Sequence, residues 1–280
     1  MTTITETHTP VSAPVTSRLS FDGVLKGEWI KLLSLRSIRW SILVMLVLSW
    51  AGAALLSLAM GSSEMAGAEA MPMIVVQAAT FGSMFTVLIM GVLGALSITS
   101  EYASGLILSS LTAVPARTPL LLAKALVVAA LGFSIGVLSS FGGALIAAFM
   151  LGGDGFSALT APAVLVSLLG NTLYLTLAAL LALGLGALLR SSAGAISVVV
   201  ALLFVATIAM QVLSITGWEW VPVAAEWLPA SLGSTLSSAA LTPAADAGSV
   251  TYWGALGGLA AWAAAALVPA AILLKTRDAV

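Results

Sequence analysis

Six long apolar stretches determine what this chain can fold into. They cover roughly residues 40–60, 73–98, 120–151, 162–189, 193–215 and 252–274, and the only charge in them is Lys124, near the start of the third. About 20 helical residues cross about 30 Å of hydrocarbon, so each stretch is long enough to span a membrane. Barrel strands alternate over about ten residues, whereas these stretches are continuously apolar. Only 8% of the residues are charged, against about 25% in a soluble domain, so the sequence predicts an all-α membrane protein with six transmembrane helices.

The charged residues of the predicted links are sorted by sign. All ten basic residues fall on one side of the six spans: Arg18, Lys26, Lys31, Arg36, Arg39, Arg117, Lys124, Arg190, Lys275 and Arg277. The links on the other side carry only acidic residues: Glu64, Glu69, Asp154, Glu219, Glu226 and Asp246. Because basic links are retained in the cytoplasm, the basic side is predicted to be cytoplasmic, with both termini inside.

Several classes of chemistry are excluded by the residue inventory. The chain has no cysteine, and its one histidine, His8, lies in a Ser/Thr-rich tail, so we expect neither a metal site nor catalytic residues. No lysine follows a glycine, which excludes a phosphate-binding P-loop. The amides within the spans, Gln77, Asn171 and Gln211, are interpreted as interhelical hydrogen-bond partners rather than substrate ligands. The chain is therefore not expected to be an enzyme.

The segment before the first span has the pattern of an amphipathic helix. Residues 1–20 are predicted to be a disordered cytoplasmic tail, and residues 21–39 follow as an interface helix. Five apolar residues recur there at spacings of three and four: Phe21, Leu25, Trp29, Leu32 and Leu33. The acidic and basic residues, including Glu28 and Lys31, fall elsewhere on the helical wheel. Such a helix suits the cytoplasmic headgroup layer, either as an anchor that sets orientation or as a contact for a cytoplasmic partner.

The internal link 99–119 is more apolar than a solvated hairpin. Thr99 or Ser100 can cap a short helix over 101–111, because Glu101 would suit its N-terminus. Pro115 ends the helical region. The result is a helix–break–helix protrusion with exposed apolar side chains, or else an ordinary amphipathic connector.

The external link 216–251 is the other segment with distinctive composition. Two pieces, 221–228 and 231–240, can each form two or three helical turns, and neither is long enough to span. The tryptophans of the link, Trp218, Trp220 and Trp227, flank the first piece. This pattern predicts short re-entrant helices before the last span, or an interfacial lid without a transport role.

Several short motifs give the chain a family resemblance. They are Glu-Trp-Ile-Lys-Leu at 28–32, Ile-Thr-Ser-Glu-Tyr at 98–102, Gly-Leu-Ile at 105–107, Leu-Thr-Ala-Val-Pro at 111–115, Arg117, and Ala-Lys at 123–124. In these motifs the chain resembles the permease subunit of actinobacterial ABC-2-type transporters, which have a type V exporter-like fold. It departs from many relatives at Ala103 and Leu108, where they carry arginine.

The resemblance implies roles for three sets of residues. The link after span two would dock onto a separate ATPase as a coupling helix, through Glu101, Tyr102, Gly105, Leu106, Ile107, Leu111, Pro115 and Arg117. The interface helix would lie beside it, with Glu28, Trp29 and Lys31. The tryptophans Trp218, Trp220 and Trp227 would belong to the re-entrant link.

The resulting expectation is the membrane subunit of an ATP-driven exporter of an amphipathic or lipid-like substrate. The expected partners are a dimeric cytoplasmic ABC ATPase that binds ATP and magnesium, a second permease copy (identical or related), and the lipid of a bacterial plasma membrane; no cofactor and no nucleic acid are expected. A secondary transporter or channel, or a membrane scaffold, is the alternative. A secondary transporter would usually show intramembrane carboxylates or an internal repeat, and neither is apparent.

Overall fold

The computed structural model describes residues 20–61, 69–106, 117–241 and 250–276, and within these ranges all regular structure is helical. The helices of the first half are α1 (Phe21–Ser34), α2 (Arg36–Gly61), α3 (Met71–Phe81), α4 (Ser83–Ala103), α5 (Arg117–Leu151) and α6 (Gly153–Leu159). Those of the second half are α7 (Pro162–Leu189), α8 (Ser192–Val200), a π-helical segment (Ala201–Val205), α9 (Ala206–Ser214), α10 (Trp220–Glu226), α11 (Pro229–Ser238) and α12 (Tyr252–Thr276).

Six helical stretches are long and apolar enough to cross a membrane, which confirms the predicted number. In chain order these spans are α2, α3 with α4, α5, α7, α8 through α9, and α12. The predicted bounds of span four are reproduced, and most other spans extend by a few residues at their ends. The all-α membrane fold predicted from the apolar stretches is therefore confirmed.

The predicted interface helix is divided into two elements. Ser20 caps α1, since its Oγ accepts a hydrogen bond from the Gly23 N–H at 3.2 Å. Leu35 then adopts an extended conformation, and α2 begins at the next residue. The first span therefore starts before the predicted residue 40. The predicted disordered tail lies outside the described residues, except for Ser20.

Span four is the centre of the bundle, because most of its side chains are buried against its neighbours. Small residues allow close approach of the backbones. A Cβ on Gly94 of α4 would lie 2.3 Å from the Ala179 carbonyl oxygen of α7, and one on Gly184 of α7 would lie 2.6 Å from Ala266 of α12. Spans one, five and six are much less enclosed, so their apolar outer surfaces are exposed on the outside of the bundle.

Two spans contain an interruption that the sequence analysis did not predict. Span two is broken at Gly82, which separates α3 from α4 and packs so closely on α2 that a Cβ there would lie 2.3 Å from the Ser49 Cα. Span five contains the π-helical segment, and such bulges are frequent at functional sites. The link 152–161, predicted as a turn, forms the short helix α6.

Two short helices, α10 and α11, occupy the link before the last span. A Cβ on Gly233 would touch the Tyr174 ring, and one on Gly170 would touch the Leu236 carbonyl. Tyr174 and Gly170 lie 12 and 8 residues along α7, or about 18 and 12 Å from its start at 1.5 Å per residue. The helix α11 therefore lies alongside the first half of span four and runs in the opposite direction.

Candidate functional site

Four charged side chains from three helices meet at one end of the bundle. Glu28 and Lys31 come from α1, Glu101 from the last turn of α4, and Lys124 from α5. Glu28, Glu101 and Lys124 are buried, with relative exposures of 4%, 7% and 2%, whereas the Lys31 side chain is 51% exposed. We refer to these four residues as the charge cluster.

Each lysine of the charge cluster contacts both carboxylates. Lys124 Nζ lies 2.5 Å from Glu28 Oε2 and 3.0 Å from Glu101 Oε1. Lys31 Nζ lies 2.9 Å from Glu28 Oε1 and 3.2 Å from Glu101 Oε1. Two ammonium groups and two carboxylates make the cluster neutral, which is the condition under which buried charges are tolerated.

The ionisation of Glu28 reflects this balance. Burial raises the pKa of its carboxyl, but the charges and hydrogen bonds of Lys124 and Lys31 outweigh that effect and hold the pKa below its ordinary value. For Lys31, burial lowers the pKa, and the contacts with Glu28 and Glu101 reverse this and raise it. Both groups are therefore charged at neutral pH, and the ion pairs remain intact there.

The charge cluster joins α1 to the two helices on either side of the internal link. Glu101 lies near the C-terminus of α4, and Lys124 lies seven residues inside α5, about 10 Å from its start. The segment between these helices is the predicted coupling link. The second carboxylate oxygen of Glu101 is buried, and among the described residues it has no hydrogen-bond partner.

The prediction of a helix that begins at Glu101 is wrong. The helix α4 continues through this residue to Ala103, and Gly105 follows with a φ of 71°, in the left-handed region where glycine is favoured. A carboxylate is unfavourable near a helix C-terminus, because the helix dipole is negative there. Lys31 and Lys124 compensate for this by contacting Glu101, which allows the helix to continue.

The other residues predicted to couple to the ATPase lie in different surroundings, and some lie outside the described residues. Tyr102 lies beneath Arg190, whose guanidinium carbon is 5.3 Å from the ring centroid in a cation–π contact. Leu106 is exposed. Arg117 begins α5, whereas Ile107, Leu111 and Pro115 lie outside the described residues.

The turn between spans four and five is attached to the same end of α4. Ser192 Oγ donates a hydrogen bond to Thr99 Oγ1 at 2.9 Å, beside the contact between Arg190 and Tyr102. Arg190 itself has a φ of 53° and caps α7, since its N–H donates to the Gly186 carbonyl. The C-terminal end of α4 is therefore held by α1, α5 and the span four–five turn together.

The interface-helix residues do not share one environment. Trp29 is exposed, whereas Glu28 and Leu32 are buried against the bundle. The wheel analysis placed Glu28 away from the apolar face that would be buried, and this was wrong, because Lys124 provides a partner inside the bundle. Of the signals in the sequence, Lys124 was the one that could have revealed the cluster, since a lysine this far inside a span needs a counter-charge.

A second feature lies in the half of the bundle away from α1. A cavity of about 540 Å³ is lined by spans two, four and five and by α11. All three amides of the spans, Gln77, Asn171 and Gln211, line it. The residues on either side of the Gly82 break and two residues of the π-helical segment also contribute to the wall.

Asn171 connects the helices around the cavity, as predicted for an interhelical partner. Its Nδ2 donates to Ser83 Oγ and to Ser140 Oγ, both at 2.8 Å, and its Oδ1 accepts from Ser237 Oγ at 3.4 Å. These contacts join spans two, three and four to α11. The same interpretation does not hold for Gln77 and Gln211, which are exposed and whose side-chain amides form no hydrogen bond to any other described residue.

The three tryptophans of the second link lie at two different places, the start of α10 and the turn that follows it. Trp218 and Trp220 stack with ring centroids 5.9 Å apart at the start of α10. Trp227 lies at the turn between α10 and α11, where its carbonyl accepts a hydrogen bond from Trp262 Nε1 at 2.9 Å. Trp262 is ten residues along α12, or about 15 Å from its start. This contact ties the α10–α11 turn to the last span.

The comparisons with known proteins agree with the sequence motifs. A family model described as ABC-2 family transporter protein matches residues 24–224, a range that includes the charge cluster and the three cavity amides. A comparison with curated proteins found no match. Since the family model covers well over half of the chain and the fold has six membrane-spanning helices, the chain belongs to the ABC-2 family of transporter permeases.

Proposed function

We propose that this permease transmits the movement of a separate cytoplasmic ATPase to its spans through the link that follows span two. The observation that supports this most is the charge cluster. It fastens α1 to both helices that flank the link, so a force on the link reaches three helices at once. Ion-pair networks that join rigid helices are one way to carry such a force from a docking surface into the bundle.

The helix α4 is the element that would carry this displacement. Glu101 and Ser83 lie 18 residues apart on one uninterrupted helix, a distance of about 27 Å. Glu101 belongs to the charge cluster, and Ser83 lines the cavity. The break at Gly82 separates α4 from α3, so α4 can tilt while α3 keeps its contact with α2.

The proposed transport cycle uses this arrangement. ATP and magnesium bind to the ATPase dimer, and closure of the dimer draws the links of two permease copies together. The second copy, identical or related, would cover the weakly enclosed outer spans. The shift between states requires that the ATPase bind one permease conformation more tightly than the other.

The direction and the cargo are part of the same proposal. With the basic end in the cytoplasm of a bacterium, the cavity opens in the outer half of the plasma membrane, which suits export. A mostly apolar bundle with amide and hydroxyl groups at one place suits an amphipathic or lipid-like substrate. In this scheme α10 and α11 form a re-entrant hairpin. ATP is hydrolysed by the separate ATPase and not by this chain.

The docking contact is tested by Leu106→Asp. Leu106 lies in the link and is 57% exposed, so a carboxylate there should disrupt an apolar docking surface without disturbing the bundle. We expect loss of co-purification with a co-expressed partner ABC ATPase, and loss of permease-dependent ATP turnover in liposomes. Leu35→Asp is the matched control, because Leu35 is 50% exposed at the same end but outside the link.

Two outcomes would contradict the proposal. If Leu106→Asp retains the ATPase and its turnover, the link is not the docking surface. If the unmodified chain neither retains the ATPase nor changes its turnover, a scaffold or a secondary transporter becomes the better explanation.

A further inference from the structure

We infer that the cavity in the half of the bundle away from α1 binds an uncharged, hydrogen-bonding head group of an amphiphile. The inference deepens the proposed function by naming the class of molecule, and its role in transport rests on that function. It depends on three observations: where the helices are irregular, which polar groups line the cavity, and how the cavity opens.

Residues at both span interruptions, the break at Gly82 and the π-helical segment, line this cavity. Thr80 and Ser83 flank the break at Gly82, Leu203 and Phe204 belong to the π-helical segment, and Gly233 belongs to α11. Irregular backbone at membrane depth is tolerated where it is covered by protein or lines a polar cavity. Two interrupted spans and a short non-spanning helix in the wall of one cavity favour a binding site, because π-bulges are frequent at functional sites.

The polar groups of the cavity are hydroxyls and amides. None of the described residues that line it carries a charge. Several hydroxyls donate to carbonyls of their own helices, for example Thr80 to Val76 at 2.8 Å and Ser234 to Ser231 at 2.7 Å. Their oxygens remain available as acceptors, and a hydroxyl group has two acceptor lone pairs.

Gln77 and Gln211 add groups that can both donate and accept. Each amide is exposed within a span and has no hydrogen-bond partner among the described residues. An amide that faces hydrocarbon without a partner costs several kcal/mol by transfer from water to an alkane. A ligand with hydroxyl or amide groups would satisfy both, whereas a phosphate or ammonium group would find no counter-charge here.

The cavity opens towards the side of the bundle, where an amphiphile in the bilayer can enter. Met84 and Ile208, which line it, are both exposed on the outer surface of spans two and five. Its volume of about 540 Å³ lies within the range of about 300–1,000 Å³ that is usual for small-molecule sites. The head group would meet the amides, and the chain would remain among the exposed apolar side chains.

Photolabelling of the purified chain in nanodiscs tests this directly. The two probes share one acyl chain with a diazirine near the head group: a monoacylglycerol, which is uncharged, and the corresponding lysophosphatidic acid, which is anionic. Labelled peptides are identified by mass spectrometry. We expect the monoacylglycerol probe to label the cavity-lining peptides of spans two and five and of α11 preferentially over the outer face of span three. The anionic probe should show no such preference.

A double variant checks the role of the amides. Gln77→Leu with Gln211→Leu should reduce labelling by the monoacylglycerol probe about tenfold, as expected from the loss of two ordinary hydrogen bonds. The variant makes the spans more apolar, so insertion should be preserved. Ser134→Leu is the matched control, since Ser134 is exposed on span three and its hydroxyl bonds within its own helix.

Each remaining outcome overturns the inference. Equal labelling of the cavity by both probes contradicts the preference for uncharged head groups. No labelling by either probe means that a second permease copy or water fills the cavity. If the double variant is labelled as strongly as the unmodified chain, the two amides do not bind the head group. No ATPase is present in this assay, so its failure leaves the docking proposal intact, and failure of the docking test leaves this binding site intact.

Discussion

Lys124 is the residue on which the charge cluster depends most. It is the only fully buried cation of the four residues, and it contacts one oxygen of each carboxylate. Lys31 contacts the same two carboxylates but remains half exposed. The two lysines therefore make similar contacts, but the one in the low-dielectric interior makes the larger contribution.

Replacing Lys124 by methionine should lower the free energy of unfolding by about 3–5 kcal/mol, because it leaves buried carboxylates with only one cation. Lys31→Met should cost clearly less, since water already solvates this side chain. Lys124→Arg keeps the charge and serves as the control. Thermal unfolding of the purified variants in nanodiscs measures the loss of stability in each variant and so ranks them. Equal losses for Lys124→Met and Lys31→Met would show that burial does not set the strength of the cluster.

The helix α4 illustrates how close packing and charge act on one element. In the middle of α4, at position 94, no side chain larger than that of glycine fits, since a Cβ there would meet the Ala179 carbonyl oxygen at 2.3 Å. Its C-terminal end is held by ion pairs with α1 and α5. A change in the middle of α4 therefore separates it from span four, while a change at the end releases it from α1.

Gly94→Ala should destabilise the bundle by about 1–3 kcal/mol or more, because the added methyl group forces two backbones apart. Gly257→Ala is a sharp control, since no atom lies within 4 Å of a Cβ built there. The alanine at 257 should stabilise α12 by about 0.5–1 kcal/mol through its lower backbone entropy. Thermal unfolding distinguishes the two, and a neutral Gly94→Ala would mean that α4 and α7 do not pack this closely.

The sequence could predict the spans but not their interruptions. A continuous apolar run of sufficient length has few alternatives in a membrane, so six spans could be predicted from hydropathy. The break at Gly82 coincides with a close tertiary contact with Ser49 that hydropathy does not reveal, and glycines elsewhere in the spans, such as Gly94, leave the helix unbroken. The charge cluster was missed because its members are 96 residues apart at most, and only the packing of α1 on α5 brings them together.

At the scale of the whole molecule, the six spans differ widely in how much of each is buried against the other helices. Span four is the most buried of the six, and span five is the least. The family match ends at residue 224, near the end of α10, so α11 and span six lie outside the matched residues. The cavity uses both parts, because its wall includes Gly233 of α11 as well as the residues of spans two and five.

Orientation can be measured with single cysteines, since the chain contains none. Lys26→Cys places a thiol on exposed α1, and Asp154→Cys places one at the start of α6. With the basic end in the cytoplasm, a membrane-impermeant maleimide should label the cysteine at 154 in intact cells, and the one at 26 only after permeabilisation. The cysteine-free chain is the background control, and the reverse pattern would invert the assigned topology.

The neutrality of the charge cluster has an electrical consequence. Moving one elementary charge through a potential of 100 mV involves about 2.3 kcal/mol. The cluster contains two positive and two negative groups held within hydrogen-bonding distance, so its displacement as a unit carries no net charge. In the proposed mechanism, a movement of the charge cluster together with α1, α4 and α5 would therefore do no net electrical work against the membrane potential, and a change in that potential would not act on this step through the cluster.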